Sequence, residues 1–148
     1  MPGFQHLKPL YDKRVPNRYL VVRTLWASTP VFFHNVYAPV EDDQRAAFFA
    51  SLPTDFDDDD QGIHIIGGDF NLPLNTALDA TSPSANYNNG KAECLAWLAA
   101  LRVTDAYRLK YPSTRVFSRP GRRNRLDYIF VDWGLATHHL HNSVYEAN

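Results

Sequence analysis

Cysteine is nearly missing from this chain, with Cys94 the single example in 148 residues. An intramolecular disulfide is therefore excluded, and a reducing, intracellular home, cytoplasmic or nuclear, is expected. Long apolar runs are missing as well. No stretch reaches the roughly 20 residues that a membrane-spanning helix needs. The first twenty residues carry Lys8, Lys13, Arg14 and Arg18 without the apolar core of a signal peptide. No membrane partner is expected. Glutamate is scarce, and none precedes Glu41.

What is present argues for a globular protein. Apolar residues make up 45% and aromatics 14%, too many for a disordered chain, and the length fits one domain. Net charge is −1, but the charge is unevenly placed. Residues 1–40 are net +4, residues 41–105 net −9, residues 106–125 net +7 and residues 126–148 net −3. A basic block beside an acidic one is compatible with phosphate binding next to a metal site; it is equally compatible with a mixed, solvated surface.

Arg18 to Leu25 and Val31 to Tyr37 are β-branched and aromatic runs, read as two strands joined by a turn at Ser28-Thr29-Pro30. Glu41 to Leu52 reads as a helix, with acids in its first turn and Ala46, Phe49 and Leu52 at helical spacing. Asp57 to Asp60 reads as a solvated turn. Gly62 to Gly67 has the short apolar run of a buried central strand, and Leu72 to Gly90 is a long polar loop of the kind that is functional or disordered. Lys91 to Leu101 reads as a helix with Cys94, Trp97, Leu98 and Leu101 on one side. Phe117-Ser118 and Leu126 to Val131 suggest two more strands. The class is α/β, or α+β, with a mixed sheet. A single domain over 1–148 is expected, with 1–17 as an extension and 134–148 as an irregular tail.

Three segments could carry chemistry. In Ile65-Ile-Gly-Gly-Asp-Phe-Asn71 a buried strand delivers Asp69 at its C-terminal end, where open α/β sheets place their sites. Asp69 and Asn71, two apart, could share one centre and suit Mg²⁺ or a water beside a phosphate. They could equally form an Asx-turn that merely caps the loop. In Asn35-Val-Tyr-Ala-Pro39, Asn35 and Tyr37 share a strand face; the phenol could donate to a phosphate oxygen or be a half-buried core residue. In Arg122-Arg-Asn-Arg-Leu-Asp-Tyr-Ile129, Asp127 could orient a catalytic histidine, or pair with a neighbouring arginine. His34, His64, His138, His139 and His141 lack zinc-site spacing, and Cys94 reads as core.

The order of these motifs is more specific than any one of them. Asn-Val-Tyr-Ala-Pro, then Gly-Gly-Asp-Phe-Asn-Leu-Pro, then Arg-Leu-Asp-Tyr-Ile-Phe resembles the endonuclease/exonuclease/phosphatase superfamily. The likeness is greatest to the endonuclease domains that precede reverse transcriptases in non-LTR retrotransposons. Glu93 to Arg108, with Trp97, Leu101 and Asp105-Ala-Tyr-Arg, resembles the same group, and the match runs from about Arg18 to Trp133. The resemblance implies a partial four-layer sandwich, two mixed β-sheets packed face to face and flanked by helices. It also implies Mg²⁺-assisted (or Mn²⁺-assisted) phosphodiester hydrolysis.

By the same resemblance, Tyr37 would contact the scissile phosphate and Asp69 would handle the attacking water or ligate metal. Asn71 would hold phosphate or metal, and Asp127 would orient the family's histidine. The substrate would be duplex DNA, with Arg115, Arg119, Arg122, Arg123 and Arg125 tracking its phosphates, and a reverse transcriptase would be the covalent partner. Three departures stand against full activity. The family's opening Asn and metal-binding Glu have no counterpart before Tyr37, its closing Asp-His pair does not follow Ile129, and Asn124 stands where Ser is usual. The chain therefore reads as truncated at both ends and catalytically incomplete, binding Mg²⁺ weakly if at all. Two alternatives are a non-catalytic remnant that binds nucleic acid or a partner, and a phosphoinositide- or sphingomyelin-type phosphodiesterase.

Overall fold

The structure is a computed structural model that describes residues 3–57, 62–82, 85–118, 121 and 123–139. Six strands form one mixed sheet. They are β1 (Gln5–Pro9), β2 (Tyr19–Trp26), β3 (Thr29–Tyr37), β4 (Ile63–Asp69), β5 (Val103–Asp105) and β6 (Asp127–Asp132), in the spatial order β1-β2-β3-β4-β6-β5. The α/β class is as expected. The two sheets implied by the resemblance are not: every described strand joins this one ladder, and none is left to build a second. Among the described residues, no helix is long and apolar enough to cross a membrane.

The β2–β3 hairpin turns on Ala27 and Ser28, both left-handed (φ 46° and 70°). Two successive positive φ values give a turn whose twist matches that of the strands. The expected turn residues Thr29 and Pro30 instead begin β3. Helix α1 (Asp42–Ser51) then carries the chain across to β4, which runs parallel to β3; every other pairing is antiparallel. Residues 5–9, expected to be an extension, form an edge strand on β2. A register shift lies between Gln5 and Lys8, where His6 is left-handed.

One face of the sheet is covered. Tyr19, Val21, Phe32, His34, Val36, His64, Ile66, Tyr128 and Phe130 alternate inward along their strands and are buried. They meet Phe48 and Phe49 of α1, and Cys94, Trp97 and Leu98 of α3 (Lys91–Ala100). The expected inward face of α3 is correct; on α1, Phe48 is buried and Ala46 only partly so. The two helices touch so closely that a Cβ on Gly90 (φ 80°) would lie 2.6 Å from the Arg45 Cβ. Arg45 is itself buried, its Nε and Nη2 donating to the carbonyls of Pro39 and Val40. Burial pulls its guanidinium below the usual value, against the opposing pull of Asp42 and Glu41.

Several short elements escape the sequence pattern. Strand β5 is three residues long, too short to show alternation. A short helix α2 (Thr76–Asp79) lies inside the polar loop, capped by Asn75, whose side chain accepts from the N–H groups of Ala77 and Leu78. Residues 134–139, expected to be irregular, belong to helix α5 (Trp133–His139), and Asp132 accepts from Gly134 and Leu135 N–H at its start. Phe117-Ser118, read as a strand, is not one. Helix α4 (Ala106–Lys110) follows β5 directly, capped by Asp105.

Candidate active site

Strand register brings the three motifs into one row. Tyr37, the last residue of β3, lies beside Asp69, the last of β4, and Asp69 lies opposite Asp127, the first of β6. The sheet's open face carries them, because their neighbours Val36 and Tyr128 point into the core. Tyr37 is 48% exposed, so it is not a core tyrosine. Asn35, two residues back on the same face, is exposed as well.

The Asp69–Asp127 pairing follows from the ladder. Phe70 N–H donates to Leu126 O at 2.8 Å, which makes that pair hydrogen-bonded and the adjacent Asp69–Asp127 pair non-hydrogen-bonded. In this class the Cα atoms approach to about 4.5 Å. Like charges so placed are unfavourable unless something offsets them.

Glycine makes the row possible. Gly68 (φ 143°) packs its backbone on β3, and a Cβ there would fall 1.9 Å from the Val36 carbonyl oxygen. Beyond it, the Asp69 carboxylate accepts the Asn71 N–H at 2.9 Å, the Asx-turn that the sequence allowed. Asn71 is left-handed (φ 49°), and its Nδ2 donates to Ala38 O at 2.8 Å. Asn71 therefore ties the loop after β4 to the loop after β3, leaving Oδ1 as its only side-chain atom able to ligate a cation. Asp127 begins its strand pinned by Ser118, whose Oγ accepts the N–H groups of Leu126 and Asp127 at 3.0 and 3.2 Å. No spacing rule pointed to Ser118.

A buried ionic network braces this end of β6. Arg125 is fully buried; its Nη1 and Nη2 fork onto the Asp105 carboxylate at 2.6 and 2.7 Å, and its guanidinium stacks on Tyr128 and Tyr107. Arg125 as a nucleic-acid contact is therefore corrected: a fully buried cation spent on a carboxylate is not offered to a phosphate. Asp79, also buried, accepts from Arg108, from Asn75 N–H and from the Tyr128 hydroxyl. Burial and the nearby Asp79 push the Tyr128 phenol well above its usual value. Sequence reading missed Asp79 and gave Asp105 and Arg108 no role. Of the other arginines, Arg123 and Arg115 are exposed, Arg115 donating to Ala77 O. Arg119 and Arg122 lie outside the described residues, as do Asp58, Asp59, Asp60 and His141.

Two histidines go to the core. Tyr19 Oη lies 2.7 Å from His34 Nδ1, and His34 Nε2 lies 2.8 Å from His64 Nδ1, inside a box of Phe32, Phe56 and Trp97. Cys94 is fully buried, and burial raises its thiol far above the reactive range. His138 lies on exposed helix surface.

Among the described residues no three His, Cys, Asp or Glu side chains cluster as a metal cage. The donors that the row does offer, two facing carboxylates and one amide oxygen, are all hard. They fit a Mg²⁺-type ion held by one or two carboxylates, with water and substrate phosphate completing its shell.

No protein-family profile matches the chain. Among curated proteins it is 31% identical over 125 residues to the transposon TX1 uncharacterized 149 kDa protein of Xenopus laevis, a match of 79% of this chain and 9% of that one. The chain thus spans less than a tenth of that protein's length. The structure of an AP endonuclease from Archaeoglobus fulgidus superposes with a TM-score of 0.64 at 15% identity, over 92% of this chain and 61% of that one. The 3′ phosphatase NExo from Neisseria, bound to product DNA hairpin, gives 0.60 at 21% identity, over 92% and 61%. This chain thus shares the fold of these two enzymes. Its structural neighbours also include the endonuclease domain of TRAS1, a telomere-specific non-LTR retrotransposon, with a TM-score of 0.53 at 14% identity over 88% and 58%.

Proposed function

We propose that this chain supplies the phosphate-contacting part of a divalent-metal-assisted DNA endonuclease site of the retroelement kind. The observation that carries this reading is the in-register row Tyr37–Asp69–Asp127 on the open face. Tyr37 donates its hydroxyl to a phosphate oxygen. Asp69 orients or deprotonates the attacking water, and together with Asn71 Oδ1 and Asp127 it would hold the metal. When bound, Mg²⁺ or Mn²⁺ stabilises the charge that develops on the phosphate. The transposon TX1 likeness and the DNA hairpin held by the Neisseria enzyme favour DNA over soluble phosphoesters.

With two carboxylates as its only acids, the row binds metal weakly, and turnover is slow. Supercoiled-plasmid nicking tests the reading. Expected is slow nicking that needs Mg²⁺, stops in EDTA and is lost in Asp69→Ala. Nicking that survives EDTA or Asp69→Ala would overturn it. The thin donor set also favours a second reading, a non-catalytic DNA-binding module; salt-dependent DNA binding with no nicking at any Mg²⁺ or Mn²⁺ concentration would select it.

A further inference from the structure

Beside the acidic pair the row has a fourth member that no motif announced. Arg18 sits at the head of β2 in a tight turn. Its N–H donates to Val15 O at 3.0 Å, Asn17 before it is left-handed (φ 59°), and its own carbonyl accepts Tyr37 N–H at 2.7 Å. Its guanidinium lies over the Tyr37 ring, 5.0 Å from the centroid, and its Nη1 reaches the Ala38 carbonyl at 3.5 Å. That carbonyl is the same one that Asn71 Nδ2 holds, while Ala38 N–H donates to Asp69 O at 2.8 Å. One residue's backbone thus joins Arg18, Asp69 and Asn71, and the ring between them is Tyr37.

From this geometry we infer that Arg18 is a positioning residue for Tyr37, and that it adds a positive charge to the row of Asp69 and Asp127 toward an incoming phosphodiester strand. The inference rests on the phosphodiesterase reading of the same row. An exposed tyrosine at a strand end has several rotamers open to it. A planar guanidinium stacked on one face, and tethered at its far end, selects one. Two carboxylates side by side also repel a polyanion, and a partly exposed arginine in the same row lessens the negative charge that an incoming phosphate meets. Lysine would keep the charge and lose the stack, so the two roles separate by substitution.

The test uses Arg18→Lys, Arg18→Gln, Tyr37→Phe and the Arg18→Lys/Tyr37→Phe pair, in the full chain with cooperative melting checked first. Three readouts are followed. The Tyr37 ring resonances, assigned by their loss in Tyr37→Phe and measured without DNA, are expected to shift in both Arg18 variants. The slope of log affinity against log salt for duplex DNA is expected to fall by about 0.9 in Arg18→Gln and to hold in Arg18→Lys. Nicking kcat is expected to fall about tenfold in Arg18→Lys with KM nearly unchanged, and the double variant should lose little beyond Tyr37→Phe. Unmoved ring resonances, an unchanged salt slope in Arg18→Gln, or additive losses in the double variant would each overturn the inference. If the unaltered chain does not nick at all, the catalytic reading fails, and the ring and salt readouts still decide the part played by Arg18.

Discussion

On β3, Phe32, His34 and Val36 point into the helices and are buried, while Asn35 and Tyr37 between them are exposed on the other side. On β4 the same division sets His64 and Ile66 against Gly67 and Asp69. The covered face is aromatic and dry, and its two histidines are absorbed in a hydrogen-bonded chain with Tyr19. The other face is covered only in part, where Ala106 and Ala136 pack on Val131 and Ile65, and it holds exposed Leu20 and Ile129 around the row of Tyr37, Asp69 and Asp127. A period of two lets one strand serve both packing and chemistry, so adjacent residues should respond to mutation in unlike ways.

The adjacent glycines give the sharpest contrast. Gly68→Ala drives a methyl into the Val36 carbonyl from a backbone that side chains rarely adopt. We expect a loss of about 4 kcal/mol or more in urea unfolding, or no folded protein. Gly67→Ala meets nothing nearer than 4.0 Å and should cost less than about 1 kcal/mol. Equal effects would break the two-face description.

Arginines divide in the same manner. Arg125→Met takes the buried cation away from part-buried Asp105 and from the side of buried Asp79, with an expected loss of about 3–5 kcal/mol. Arg123→Met should change stability by no more than about 0.5 kcal/mol and lower DNA affinity modestly. A neutral Arg125→Met would return that residue to the binding surface.

A smaller effect comes from pH. Burial raises the phenols of Tyr19 and Tyr128, so the folded state keeps protons that the unfolded chain gives up above about pH 10. Stability is therefore full below that pH and falls as pH rises beyond it. The melting temperature followed from pH 8 to 11 should show a decline that Tyr19→Phe makes shallower. The smallest effect concerns Cys94: its thiol should ignore a thiol reagent until the protein is unfolded, and fast labelling of native protein would contradict the covered face.

Much of this was legible beforehand. The β-branched and aromatic run of Val31 to Tyr37 and the apolar run through Ile66 mark the central strands, and Cys94, Trp97, Leu98 and Leu101 mark the buried side of α3. Tyr37, Asp69 and Asp127 were found as separate motifs, but their row depends on register, which no single segment contains. Arg125 was misjudged because a run of arginines reads as surface; its partner Asp105 is 20 residues away and becomes a neighbour only when β5 pairs with β6. Arg18 reads in the sequence as a charge and as the start of a strand, since the contact with Tyr37 joins two strands. The single sheet departs from the expected sandwich for a similar reason: apolar strands announce burial, and not which of two ladders they join.

Gly68 also has a consequence for descent. Two neighbouring codons specify glycine, and both mutate at the same chemical rate. In a related sequence that is no longer made as protein, changes should fall on Gly67 and Gly68 alike. In one whose product must still fold, Gly68 alone should stay fixed, since a carbonyl oxygen stands 1.9 Å from where its Cβ would be. The pair thus carries its own control, able to separate sequences under selection to fold from those released from it, without an assay.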